Sequence, residues 1–392
     1  MSFAAAFPES SQKMSGKLEP INILFVLPSF GTGGSEKLVV DIIRNLDPAR
    51  FRPVLAVFFS GQYEEMFRTL EFPFYVIHKD RELPKWQVAK LLSDIVRAHN
   101  IDIVNTHHPS PLIQGLIPFR IFHRISWVHT EHTRLNLEAA ISKHVLVVSR
   151  WCLKAVDVCV GISRGVCEYL ETDLGVPPNR TRKVINGVDL NRFALPGFDP
   201  RSFKQELVSG EDTILLGMFA NFRPQKNHLN LVRAIGLLKS RVAVKFQLLL
   251  CGEGQTLPEV EALIEELGLE SHIQLLGPRF DIPQLMNTID IYCLTSLYEG
   301  LPLSLLEAMA CRRAIVATNV PGNDEVIVDG RNGLFCASDD PEDLAQKVER
   351  LLTDATLRAS LGAHAFETAQ ELSFQNMMRD YESLFCEVCE EP

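Results

Sequence analysis

Apolar positions along this chain of 392 residues fall into short unbroken runs, separated by longer stretches with helical periodicity. The first run, Ile21-Asn-Ile-Leu-Phe-Val-Leu27, leads at once into Gly31-Thr-Gly-Gly-Ser-Glu36 and then into a helical pattern from Lys37 to Leu46. That order predicts a buried strand, a glycine turn and a helix. Further strands are predicted over 54–59, 74–77, 103–106 and 126–129, and over either 145–148 or 158–162. Strands alternating with helices imply a parallel sheet covered on both faces.

The pattern then starts again. Residues 213–220 read as a second buried strand, followed by Asn221-Phe-Arg-Pro-Gln-Lys226 and a helix from about Asn230. Later strands are predicted over 246–250, 273–275, 289–294, 314–317 and 333–336. The reading is therefore α/β, with two successive Rossmann-like domains over 20–195 and 196–370. The stretch from Asn186 to Pro200 is rich in Gly, Pro and Asn, as expected of a linker. A last helix over 371–392 places Phe374, Met378, Tyr381 and Phe385 at helical spacing. Residues 1–19 mix Ala, Ser, Pro and Lys with no continuous apolar core, so they read as a disordered leader rather than a signal peptide.

Composition narrows the function classes. A hydrophobic content of 46% suits a globular protein with sizeable cores, and a net charge of −10 argues against general nucleic-acid binding. Nine cysteines make no even framework, and several lie in apolar runs, which points to reduced, buried thiols in a cytoplasmic protein. Cys386 and Cys389 are too isolated for a metal site. No apolar run approaches a membrane span.

The most informative segment is Glu299-Gly-Leu-Pro-Leu-Ser-Leu-Leu-Glu307. Pro302 suits the start of a helix, which leaves Glu299 in the loop at its mouth and Glu307 more than one turn inside. Two ionised carboxylates so placed accept hydrogen bonds from two parts of one polyhydroxylated ligand. Arg223 and Lys226 lie just past a predicted strand's C-terminal end, where open α/β sheets bind ligands, and would neutralise a diphosphate. Gly33 and Gly34 lack Cβ, so backbone amides there can approach a phosphate or sugar closely.

These segments, together with Asn186-Gly-Val-Asp189, Cys251-Gly-Glu-Gly254, Ser296-Leu-Tyr-Glu-Gly300 and Gly330-Arg-Asn-Gly-Leu334, fall in the order found in glycosyltransferase family 4. The chain resembles that family over nearly its whole length after the leader. The resemblance implies the two-lobed GT-B fold, a last helix crossing back to the first domain, and retaining transfer of a hexose from a nucleotide sugar. It implies that Glu307 holds the ribose and Glu299 the transferred sugar. Gly33, Gly34, Gly252, Gly254, Gly300 and Leu301 would complete the donor site. A functional His is expected at His132, with His129 as the alternative. Where many relatives have Gly-Arg-Leu, this chain has Ala220-Asn221-Phe222, so Arg223 would supply the charge otherwise carried at Asn221.

The absence of any Asp-x-Asp removes a common metal-binding signature, so a metal-independent reaction without cofactor is expected, its donor a UDP-, GDP- or ADP-sugar. The acceptor would be a saccharide or lipid-linked, in surface polysaccharide or glycolipid synthesis. The basic and apolar segment from Ile117 to Arg124 is open to two readings, contact with an anionic membrane or a helix end packed on the sheet. Two rival functions are a nicotinamide-dependent oxidoreductase and a non-catalytic sugar-nucleotide binder of the same fold. The first is weakened because Gly31-Thr-Gly-Gly34 lacks the third glycine of G-x-G-x-x-G.

Overall fold

A computed structural model describes residues 19–29, 34–61, 71–78, 82–134, 142–208, 210 and 212–390. Residues 1–18 of the expected leader, and Gly33, lie outside that set.

Two parallel sheets build the molecule. The first contains β1 (Ile21–Ser29), β2 (Phe51–Phe59), β3 (Phe74–Val76), β4 (Ile103–His107), β5 (Ser126–Glu131), β6 (Val158–Gly161) and β7 (Thr181–Lys183), in the order β3-β2-β1-β4-β5-β6-β7. The second contains β8 (Ile214–Phe219), β9 (Phe246–Cys251), β10 (Ile273–Leu275), β11 (Ile291–Leu294), β12 (Ala314–Thr318) and β13 (Leu334–Cys336), in the order β10-β9-β8-β11-β12-β13. Both sheets reverse direction of growth beside their first strand, between β1 and β4 and between β8 and β11. Such a reversal opens a crevice at the strands' carboxyl ends, because the flanking helices leave on opposite faces.

Unbroken apolar runs form the inner strands because both faces are covered. Along β1, Ile23, Phe25 and Leu27 join one cluster, while Leu24 and Val26 join another on the opposite face. Helices Lys85–Ala98, Pro109–Gly115, Lys143–Leu153 and Arg164–Thr172 cover the second of these faces. The first is covered by helix Gly34–Asn45 and by the last helix, Phe374–Glu390. Phe374, Met377, Met378, Tyr381, Leu384, Phe385 and Val388 are buried there, so the C-terminal segment completes the core of the first sheet. Backbone bonds from Val188 N to Leu372 O and from Phe374 N to Val188 O tie this crossing to the linker.

The open choice between 145–148 and 158–162 resolves to the second. Ser142 Oγ accepts from Val145 N and starts helix Lys143–Leu153, in which Val147 is exposed. Strand β7 was not expected: it is a short edge strand, Thr-Arg-Lys, with no apolar run to mark it.

Candidate active site

The crevices of both sheets face each other across a cleft of about 750 Å³, lined by both sheets' loops and by the linker. That volume is in the range of small-molecule sites. His108 follows β4, Arg223 and Lys226 follow β8, and Glu299 follows β11, all at strand ends beside the reversals, and His132 follows β5, one strand further out.

Lys226 is positioned by two loops laced together. Gln225 Nε2 donates to Tyr298 O at 2.8 Å, Leu297 N donates to Gln225 O at 2.8 Å, and Thr295 Oγ1 donates to Lys226 O at 3.0 Å. Asn227 then turns the chain through a left-handed conformation (φ 49°) into helix His228–Leu238. The result is that Lys226 Nζ sits 2.5 Å from Glu299 Oε1, which also accepts from Ser296 Oγ at 2.5 Å. The two side chains read from separate motifs thus form one ion pair. Arg223 lines the same wall and is exposed.

Helix Leu303–Ala310 begins directly after Pro302 and carries Glu307 onto the cleft wall, partly buried. Burial pushes its carboxyl up to about 7; nearby Arg192 opposes this and Asp41 adds to it. Asp41, on helix Gly34–Asn45 of the opposite lobe, is itself pushed up to about 6 by burial, against Arg44 and with Asp189. A desolvated carboxyl is costly to ionise, and a ligand that donates to the ionised form repays that cost.

Gly300 joins the lobes. A Cβ on it would lie 2.0 Å from His132 O, so only glycine permits this approach. Leu301 is beside it, buried, with its carbonyl accepting from Asn186 Nδ2 at 3.4 Å. Gly252 has φ +147° and packs on Ala220 O, where a Cβ would lie 2.3 Å away; it lines the cleft. Gly254 differs from the expectation. It is not part of the cleft wall but packs against Phe222, where a Cβ would lie 2.4 Å from the carbonyl oxygen. Its lack of a Cβ lets the loop close against Phe222. Gly34 lines the cleft at the start of its helix.

The two candidate histidines differ in position. His129 lies within β5, fully buried, with Nδ1 3.0 Å from Thr106 Oγ1, and does not reach the cleft. His132 does. Its ring stacks between His107 and His108, at centroid distances of 5.2 and 5.1 Å, and its Nε2 lies 2.9 Å from His107 Nδ1. Burial, followed by the neighbouring imidazoles, holds both His107 and His132 well below the usual histidine range. Both rings are therefore neutral at neutral pH.

Sequence reasoning missed several lining residues. Asp41, Arg44, Arg192 and Arg279 belong to no motif and reach the cleft only through the packing of the lobes, while Asp189 closes the Asn186-Gly-Val-Asp189 segment but was assigned no role. His107-His108 carried a usable signal, since the pair ends a predicted strand, the same rule that singled out Lys226.

Comparison with known proteins agrees with this geometry. The family described as Glycosyltransferase Family 4 matches residues 32–192, and the family described as Glycosyl transferases group 1 matches residues 199–368. The chain is 28% identical over 309 residues to the N-acetyl-alpha-D-glucosaminyl L-malate synthase of Bacillus anthracis, covering 77% of this chain and 78% of that protein. It is 26% identical over 275 residues to an Escherichia coli UDP-Gal:alpha-D-GlcNAc-diphosphoundecaprenol alpha-1,3-galactosyltransferase, covering 68% and 70% of the two chains. Among solved structures, Anabaena HepE in complex with UDP-glucose superimposes with a TM-score of 0.83 at 24% identity, over 93% of this chain and 99% of that one. The last is a likeness of fold, the two-lobed GT-B architecture. With both halves matched in order and the cleft formed between them, the chain belongs to the family-4 type of glycosyltransferases.

Proposed function

We propose that the protein moves a hexose from a nucleoside diphosphate to a saccharide or lipid-linked acceptor, with retention of anomeric configuration and without a metal ion. The observation that carries this reading is the convergence of Lys226, Glu299, Glu307 and His132 on one cleft. The relatives whose printed names include a diphosphoundecaprenol acceptor support the lipid-linked option.

In this reading the donor's ribose hydroxyls donate to Glu307 and its sugar hydroxyls to Glu299. The diphosphate draws Lys226 away from Glu299 Oε1, with Arg223 beside it. As the bond from the anomeric carbon to the phosphate oxygen breaks, positive charge grows on the sugar ring and negative charge on the phosphate. Fixed cations at the phosphate therefore lower the barrier more than they stabilise the bound donor. The acceptor oxygen attacks from the same face, and its proton passes to the departing phosphate oxygen. Neutral His132 can donate to a sugar hydroxyl without repelling the developing charge.

Calorimetric titration with UDP-, GDP- and ADP-sugars, repeated with Glu307→Ala and Lys226→Ala, tests the site. Binding unchanged by both substitutions contradicts it. NMR of the product's anomeric proton tests retention, and turnover in excess chelator tests metal independence.

A further inference from the structure

Among the described residues, twelve large apolar side chains are exposed, and seven of them lie on three neighbouring helical segments of the first lobe. These are Lys85–Ala98, the continuous Pro109–Phe122 pair of turns, and Lys143–Leu153, together about a tenth of the chain. Scattered exposed apolar residues are ordinary; such a concentration is not. The most open are Trp151 at 68%, Trp86 and Ile121 at 66%, and Val147 and Phe122 at 56%.

The patch is held together by specific contacts. Over Leu116–Phe122 the helix widens to a π-type turn, so Ile117 shares a face with Ile121 and Phe122, four and five residues on. Arg120 Nε donates to Ala155 O just past Lys143–Leu153, which brings this turn beside the end that carries Trp151. Ser93 Oγ lies 2.7 Å from His123 Nε2, which ties the turn to helix Lys85–Ala98. The Lys154 ammonium stands 4.6 Å from the centre of the Trp151 ring. An indole with a cation at its rim is suited to a boundary between water and apolar material.

Charge decides what that material is. Residues 85–98, 109–124 and 142–154 contain eight Lys and Arg and one acid, Asp94, in a chain of net charge −10. Asp94 is already shared by Lys90 and Arg97, and Arg120 is paired with Asp157 just beyond the last segment, which leaves Lys85, Arg124, Lys143, Arg150 and Lys154 as the cations of the face. A second copy of the chain meeting this face symmetrically would set the same cations against each other. An anionic sheet of headgroups over an acyl layer complements both the cations and the apolar side chains.

We propose that this face docks on an anionic lipid bilayer, with Ile121, Phe122 and Trp151 at the boundary of headgroups and acyl chains and the surrounding Lys and Arg at the headgroups. Helix Pro109–Gly115 starts directly after His108, which lines the cleft, and runs on into Leu116–Phe122, so one continuous helical stretch joins the cleft wall to the docking face. This inference does not depend on the transfer reaction.

The test is co-sedimentation of the full chain with vesicles of phosphatidylcholine alone and of phosphatidylcholine mixed equally with phosphatidylglycerol. Roughly tenfold or greater preference for the anionic vesicles is expected, weakening with salt. Phe122→Ser with Trp151→Ser, and separately Lys143→Ala with Lys154→Ala, are each expected to reduce binding about tenfold. Their unfolding midpoints should be unchanged, since all four side chains sit on the surface patch. In a Trp86→Phe background, brominated acyl chains should quench tryptophan emission, and Trp151→Phe should remove most of that quenching, since Trp127 is buried. No sedimentation with either vesicle, or equal binding by wild type and both variants, overturns the proposal. So does a dimer in solution that Trp151→Ser dissociates, which would assign the face to a second copy.

Discussion

Glu307→Gln separates the energetic cost of the site from its use. Moving the Glu307 carboxyl from an ordinary 4.5 to about 7 corresponds to about 3 kcal/mol. The group is partly open to the cleft, and Arg192 offsets some of the burial, so about 1–3 kcal/mol is the working range. The folded state holds this proton more tightly than the unfolded chain does. The group's favourable contribution is therefore complete below pH 4.5 and is lost as pH rises through 7. Glutamine keeps the shape without the titration. At pH 8.5 the Gln variant is expected to be more stable than wild type by about 1–3 kcal/mol, and most of that gain should vanish at pH 5. For a lobe of this size, each kcal/mol moves the melting temperature by about 2–4 °C. Differential scanning calorimetry at the two pH values reads the difference. Donor affinity should move the other way, because glutamine offers one acceptor oxygen in place of a charged pair; a loss of roughly 10–100-fold is expected. Equal stability of the two proteins at pH 8.5, or undiminished donor affinity, would refute the idea that the cleft holds a strained carboxylate for a hydroxyl-bearing ligand.

Three further outcomes follow from the geometry. Lys226→Ala leaves the buried Glu299 carboxylate without its cation, which should cost roughly 1–3 kcal/mol in urea unfolding, and Lys226→Ala with Glu299→Gln should recover most of it; turnover of either variant should fall by about 10²–10³. Gly300→Ala should push the lobes apart at His132 O, seen as a larger radius of gyration by small-angle scattering and a lower kcat, and an unchanged radius would argue against a fixed contact there. His108→Gln removes the neighbouring imidazole that, after burial, does most to lower His132, so the pH at which His132 titrates should rise toward the ordinary histidine range, as imidazole NMR would report.

Much of the fold was readable because the strands of a doubly covered parallel sheet must be continuously apolar, and continuous runs such as 21–27 and 213–220 are visible without knowing their neighbours. Where a strand is an edge, as in Thr181–Lys183, nothing demands apolar residues and the signal disappears. The apolar Val145–Val148 looked like a strand because four residues do not distinguish a strand from one turn of helix. The serine cap at Ser142, which starts that helix, was the local cue.

The candidate site divides along the same line. Lys226, Glu299 and Glu307 were legible since each stands at a fixed offset from a strand end or helix start, so local geometry alone places it near the crevice. Sequence could not say that Lys226 and Glu299 would pair, because the loops after β8 and β11 meet through bonds between residues some seventy positions apart. Nor could it find Asp41, Arg192 or the His107–His132 contact. Asp41 and Arg192 reach the cleft through the packing of the lobes, the raised carboxyls of Asp41 and Glu307 arise from desolvation there, and the histidine contact comes from the pairing of β4 with β5. The amino-acid sequence by itself set the two sheets and the strand-end chemistry, which depend on short-range pattern. Only the tertiary structure decided which charges face one another and how far water is excluded, because electrostatic energy depends on through-space distance and burial, and neither is written in the spacing of residues along the chain.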